Sequence, residues 1–108
     1  MKKAEQYLIN DECERVYHII CKELSKISAK DIAKSFHRLN KCQAEFCVTE
    51  NFVILKSYDT IVACVDMRWN VGYDFLRMVY GYTATSAQHI SKFFKQTLTH
   101  EIYTWKAI

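Results

Sequence analysis

Ser57, Asp66 and His89 follow one another in the chain order of one class of serine hydrolase, where they would serve as nucleophile, orienting acid and general base. That chemistry needs the serine on a strained strand-to-helix elbow flanked by glycines. Ser57 has Lys56 and Tyr58 as neighbours, and the chain's two glycines stand far away at Gly72 and Gly81. The order is coincidental. Asp59, Asp66 and Asp74 are too few, and too close to predicted turns, for a paired-carboxylate site. Two glycines cannot build a phosphate-cradling loop. Cys13 with His18 and Cys21, or His37 with Cys42 and Cys47, match no common metal-ligand spacing. His18 and His37 lie on or near helical apolar faces and read as structural histidines. The expectation is a non-enzymatic protein with no metal and no cofactor.

Charge and aromatic patterning point instead to binding. Lys22, Lys26, Lys30, Lys34 and Arg38 recur every four residues and Lys41 follows, so residues 22 to 41 hold six basic against two acidic side chains in a chain of net charge +3. The ridge is read in three ways: an ordinary solvated helix face, a phosphate-contacting surface, or a surface complementary to an acidic protein. Trp69, Tyr73, Phe75 and Arg77 come near the interleaving of aromatic and basic groups that stacks nucleobases or anchors a protein partner. No RNP-like string, G-x-x-G loop or helix-turn-helix spacing accompanies them. The expected partner-binding residues are therefore Lys30, Lys34, Arg38, Trp69, Tyr73, Phe75 and Arg77.

These side chains need elements to carry them. Ile9, Cys13, Val16, Ile20, Leu24 and Ile27 recur at three and four, predicting an amphipathic helix over residues 5 to 26. Ser28 and Asp31 look like the cap of a second helix through Ile32, Phe36 and Leu39, ended by Asn40 and Lys41. "AEFCVT", "FVILKSY", "TIVACVD" and "YDFLRMVY" read as four strands. The third is apolar on both sides, with Ile61, Ala63 and Val65 on one face and Val62 and Cys64 on the other, as in a central strand covered twice. The fourth suggests a wet face carrying aromatics. Gly81 breaks it, and Thr85 with Gln88 reads as a capping box. A last helix then runs to Leu98, with Ala87, Ile90, Phe93, Phe94 and Thr97 inward and His89, Lys92 and Gln96 toward water. The tail "EIYTWKAI" fits either a helix extension or a fifth strand.

The predicted class is α+β: N-terminal helices, a four-stranded antiparallel meander and a C-terminal helix packed on the sheet. At 108 residues, one domain is expected, with a helical part over 1–41 and the sheet and last helix over 44–108. Half the residues are hydrophobic and 14% aromatic, enough to build a core. No signal-peptide core or membrane-length apolar run occurs, which predicts a cytoplasmic protein without membrane partners. Five cysteines, an odd number without a C-x-x-C pair, are expected to be reduced and mostly buried.

"LKSYDTIVACVD" (55–66) and "YTATSAQHISKFFKQ" (82–96) together resemble the paired signatures L-x-S-Y-x-T-x-V-A and Y-(S/T)-x-T-(T/S)-x-x-H-I-x-x-F of small proteins encoded by phages and mobile elements of Firmicutes. The likeness spans residues 50 to 98 and rests on Leu55, Ser57, Tyr58, Thr60, Val62, Ala63, Tyr82, Thr85, Ser86, His89, Ile90 and Phe93. It implies that the "SYDT" turn and the helix start pack together, with His89 bonded to a nearby backbone or hydroxyl group. Accessory proteins of this kind include anti-CRISPR proteins. The functional expectation is an inhibitor that binds a CRISPR effector nuclease or its guide-RNA complex. A basic chain with pI near 8.6 is a poor mimic of DNA, so protein docking or guide-RNA contact is the expected mode. The alternatives are a small phage protein that binds nucleic acid through the basic ridge, and a homodimer serving assembly.

Overall fold

The computed structural model describes residues 3–27, 31, 35–39, 43–81 and 83–108. Lys30, Lys34, Cys42, Tyr82 and the proposed cap at Ser28 lie outside them. The elements are α1 (Lys3–Ser25), β1 (His37–Arg38), β2 (Ala44–Val48), β3 (Phe52–Ser57), β4 (Thr60–Asp66), β5 (Val71–Asp74), α2 (Leu76–Val79), α3 (Ala84–Gln96) and β6 (Glu101–Thr104). The fold is α+β, as expected, but the sheet is mixed and has six strands in sequential order. Strands β1 to β5 form an antiparallel meander, and β6 pairs parallel to β5.

Each face of the sheet is covered by one helix. Cys13, Val16, Ile20 and Leu24 of α1 form a core with Phe52, Ile54, Cys64, Tyr73 and Phe75. Ile90, Phe93 and Phe94 of α3 pack with Leu55, Val62, Ala63, Val65 and Leu76 on the other side. The strand apolar on both faces is thus central, because each of its faces meets a helix. Its alternation is not regular. Leu55 pairs with Ala63 but Lys56 with Ile61, which leaves Val62 without a partner in the ladder. This bulge lets the adjacent Val62 and Ala63 both join the α3-side core.

Two predicted elements are corrected. His37 and Arg38 form an edge strand paired to Phe46 and Glu45, so the second helix does not continue through Leu39. Helical backbone is confined to Asp31 and Ser35 among the described residues between α1 and β1, and the Ser35 hydroxyl donates to the Asp31 carbonyl at 2.7 Å. The fourth strand stops at Asp74 instead of reaching Tyr80. Phe75 N–H still bonds to the Val62 carbonyl at 2.8 Å, but the Asp74 carboxylate then accepts Leu76 N–H at 3.0 Å and the chain coils into α2. This local side-chain capture overrides the β-propensity of "FLRMVY".

The crossover from β5 to β6 also depends on three local devices. Thr83, in extended backbone (φ −131°, ψ 142°), caps α3 by accepting Ser86 N–H at 3.2 Å, so the cap lies two residues before the expected Thr85. Leu98 adopts φ 54°, and Thr99 N–H returns to the Phe94 carbonyl at 3.2 Å, which closes the helix end. Gly72 provides clearance for α3: a Cβ there would stand 2.6 Å from Phe94 Cε1 and 2.9 Å from Thr99 Cγ2. Of the tail that fitted either helix or strand, Glu101–Thr104 form a strand.

The outer edge of β6 is held by side chains of α1. Asn10 is almost fully buried; its Nδ2 donates to the Lys106 carbonyl at 2.7 Å and its Oδ1 accepts Lys106 N–H at 3.0 Å, as a neighbouring strand would. Gln6 Nε2 donates to Asn10 Oδ1 at 2.7 Å and to the Thr104 carbonyl at 3.1 Å. The Cys13 thiol lies 3.5 Å from the Tyr103 carbonyl. A terminal strand edge is thereby made less available for pairing with other chains.

Candidate functional site

The hydrolase-like order of Ser57, Asp66 and His89 resolves into two separate structures. The β3–β4 hairpin turns through Tyr58 at φ 55° and brings Ser57 against the first turns of α3. There Ser57 Oγ lies 3.0 Å from His89 Nδ1 and 3.0 Å from Ser86 Oγ. All three side chains are buried, at 1%, 4% and 2% exposure for Ser57, His89 and Ser86. The Tyr58 ring leans over His89 with centroids 6.0 Å apart. Asp66 sits at the far end of β4 and instead binds Arg68, through Nε at 3.0 Å, Nη2 at 2.8 Å and the backbone N–H at 3.0 Å. Ser57 therefore lacks both the acid and the access that a nucleophile requires, and the cluster acts as a latch between hairpin and helix. His89, placed on the wet face by periodicity, is buried by that contact. The packing of turn against helix start that the signatures implied is present.

Burial, and secondarily the charge of Lys92, hold the His89 pKa below its ordinary value of 6.5. The unfolded chain then binds the extra proton more readily than the folded one. The latch's contribution is complete above about pH 6.5 and is lost as pH falls toward the folded-state value. Urea denaturation at pH 7 and pH 5.5 is expected to show a larger loss of stability for the wild-type chain than for His89→Gln. Equal losses would mean that His89 titrates alike in both states.

The buried thiols are unreactive. Burial pushes Cys13 up to about 12, Cys64 well above the ordinary thiol value and Cys47 upward, so none supplies a thiolate near neutrality. Among the described residues, no group of three or more His, Cys, Asp or Glu side chains could hold a metal ion.

The expected binding residues are dispersed. Trp69 is 72% exposed on the β4–β5 turn, whose base is fixed by the Asp66–Arg68 pair. Phe75 is completely buried and Tyr73 is 6% exposed, so the aromatic wet face predicted for the fourth strand is not a surface. Phe75 packs edge-on against Tyr17 at 5.3 Å and Tyr73 stacks beside it at 6.4 Å, because both point under α1. Arg77 stands exposed on α2, where its charge opposes the rise that burial imposes on Asp74. Arg38 is exposed on the edge strand β1, while Lys22 lies in the last turn of α1 and Lys26 lies beyond it. The ridge is therefore not one helix face.

An apolar surface that the periodicity did not reveal lies at the end of the sheet shared by the β4–β5 turn and the start of β6. Parallel pairing puts the turn and the α3–β6 loop at the same end, and His100 N–H ties them by donating to the Asn70 carbonyl at 2.9 Å. Leu98 is 77% exposed, Ile102 47% and Met67 38%. Leu98, Ile102, Phe94 and Thr99, with Ser91 and Lys95, line a groove of about 450 Å³. In the sequence these residues read as a helix end and an undecided tail, so only the crossover could assemble them. Among the described residues, no helix is long and apolar enough to cross a membrane. Comparison with protein-family models, curated proteins and solved structures returned no match.

Proposed function

We propose that this chain is a non-enzymatic inhibitor that docks on a larger protein, a CRISPR effector nuclease, using the apolar sheet end as its contact surface. The observation that supports this reading is that four large apolar side chains open to solvent lie at one end of the sheet, Met67 and Trp69 on the β4–β5 turn and Leu98 and Ile102 on the α3–β6 segment, which the Asn70–His100 backbone bond joins to that turn. Tryptophan and methionine on a rigid turn suit the centre of a protein interface, where a few anchors supply most of the binding energy. Lys95 lines the groove beside Leu98 and Ile102 and favours an acidic rim on the partner. The paired hairpin and helix signatures direct the choice of partner class, and the net charge of +3 argues against DNA mimicry.

The test is a pull-down and titration against purified effector nuclease, with and without guide RNA. Trp69→Ala combined with Leu98→Ser is expected to weaken binding about 30-fold or more. Thermal stability should stay nearly unchanged because both side chains are exposed. Absence of association in both conditions would remove the reading. A second reading is supported by α3, which carries Lys92 and Lys95 and no acidic residue. On that reading the chain binds nucleic acid, and gel-shift affinity for generic duplex or single strand would fall steeply with added salt while the double variant bound normally.

A further inference from the structure

A second groove lies on the opposite, α1-facing side of β6, and its chemistry differs from that of the apolar patch. Leu8, Ile9 and Glu12 of α1 form one wall, and Val71, Tyr73 and Tyr103 of the parallel β5–β6 pair form the floor, enclosing about 390 Å³. The two tyrosine rings stand 5.7 Å apart, tilted by 35°. Tyr73, itself 94% buried by its 6% exposure, directs its hydroxyl toward Glu12 Oε1 at 3.4 Å. Glu101 lies in register with Val71, on the same side of β6 as Tyr103, and is exposed. Among the described residues, the polar side chains lining this space are the Glu12 carboxylate and the phenols of Tyr73 and Tyr103, with Glu101 two residues before Tyr103 on the same side of β6. Arg15 is bound to Glu12 and is itself 58% exposed.

We infer that this groove receives a lysine or arginine side chain from a partner protein. The match is one of shape and charge together. Leu8, Ile9 and Val71 would cover the aliphatic stem. The tyrosine faces would attract the cationic head, and Glu101 and Glu12 would pair with it. A carboxylate has about four lone-pair positions, so Glu12 can hold Arg15 and still accept a further donor. An anionic occupant would oppose Glu101, and a purely apolar one would crowd that carboxylate without supplying a counter-charge. This site is independent of the apolar patch and of the identity proposed for the effector.

The probe is fluorescein-labelled hexalysine, titrated by anisotropy against the full chain at low salt, with labelled hexaglutamate as the comparison. Saturable binding of hexalysine alone is expected. Glu101→Lys, an exposed position whose change leaves the core intact, should weaken it about tenfold. Glu14→Lys makes the same charge change on the exposed face of α1 and should weaken it less than about twofold. Equal losses for the two variants would reduce the effect to bulk attraction and overturn the proposal. So would hexaglutamate binding as tightly as hexalysine, or no saturable hexalysine binding up to millimolar concentration.

Discussion

Phe75→Ala is expected to destabilise the protein by about 3–5 kcal/mol, the cost of emptying a fully buried aromatic site. The ring is held by Tyr17 of α1 on its edge and by Tyr73 alongside, and the Phe75 N–H makes the last backbone bond between β5 and β4, to the Val62 carbonyl. Neighbours on two elements restrict collapse into the void, which keeps the cost near the upper part of that range. In a domain of this size the melting temperature should drop by about 12 °C or more. Urea denaturation followed by circular dichroism measures the loss of free energy, and a thermal scan measures the drop in melting temperature. The result also separates two roles for this residue. A loss of partner binding with stability unchanged would mean that Phe75 is a contact residue after all, contrary to its place under α1.

Asn10→Ala is expected to cost about 2–4 kcal/mol, because it leaves the Lys106 N–H and carbonyl without their side-chain partner and deprives Gln6 of another. The loss should be local before it is global. β6 belongs to the sheet through one neighbour, β5, and is otherwise tied to α1 by these amides. Hydrogen exchange at residues 101–106 should therefore accelerate in the variant more than exchange in β3 and β4. Uniform acceleration across the sheet would show that Asn10 supports the whole fold and not the terminal strand.

Both effects mark the limits of what could be read from residue order. The 3-and-4 spacing from Ile9 to Leu24 determined α1 and its buried stripe, since a helix with that pattern has one apolar face to cover. The β-rich segments up to Asp66, and the double-sided apolar character of β4, were likewise legible because neighbouring strands are joined by short turns. Legibility faded after Asp66: the next strand runs from Val71 to Asp74, starting two residues before the predicted Tyr73 and ending six before Tyr80. "YDFLRMVY" alternates like a strand, yet its direction was decided by one carboxylate capturing Leu76 N–H. The capping-box reading at Thr85 missed Thr83 for a related reason: several hydroxyl residues in a row can cap, and only the entry angle of the chain selects one.

Function divides along the same line. Composition and motif spacing alone argued against a glycine-flanked serine nucleophile and a phosphate loop, because such chemistry needs particular residues beside one another in the chain. The Ser57–Ser86–His89 latch, the exposed end bearing Trp69 and Leu98, and the tyrosine-floored groove all join residues from separate elements. Local order determines helices and turns through backbone preference and periodicity. Which distant side chains share a surface was decided only when β6 returned parallel to β5, since that one crossover sets both the neighbours and the exposed edge.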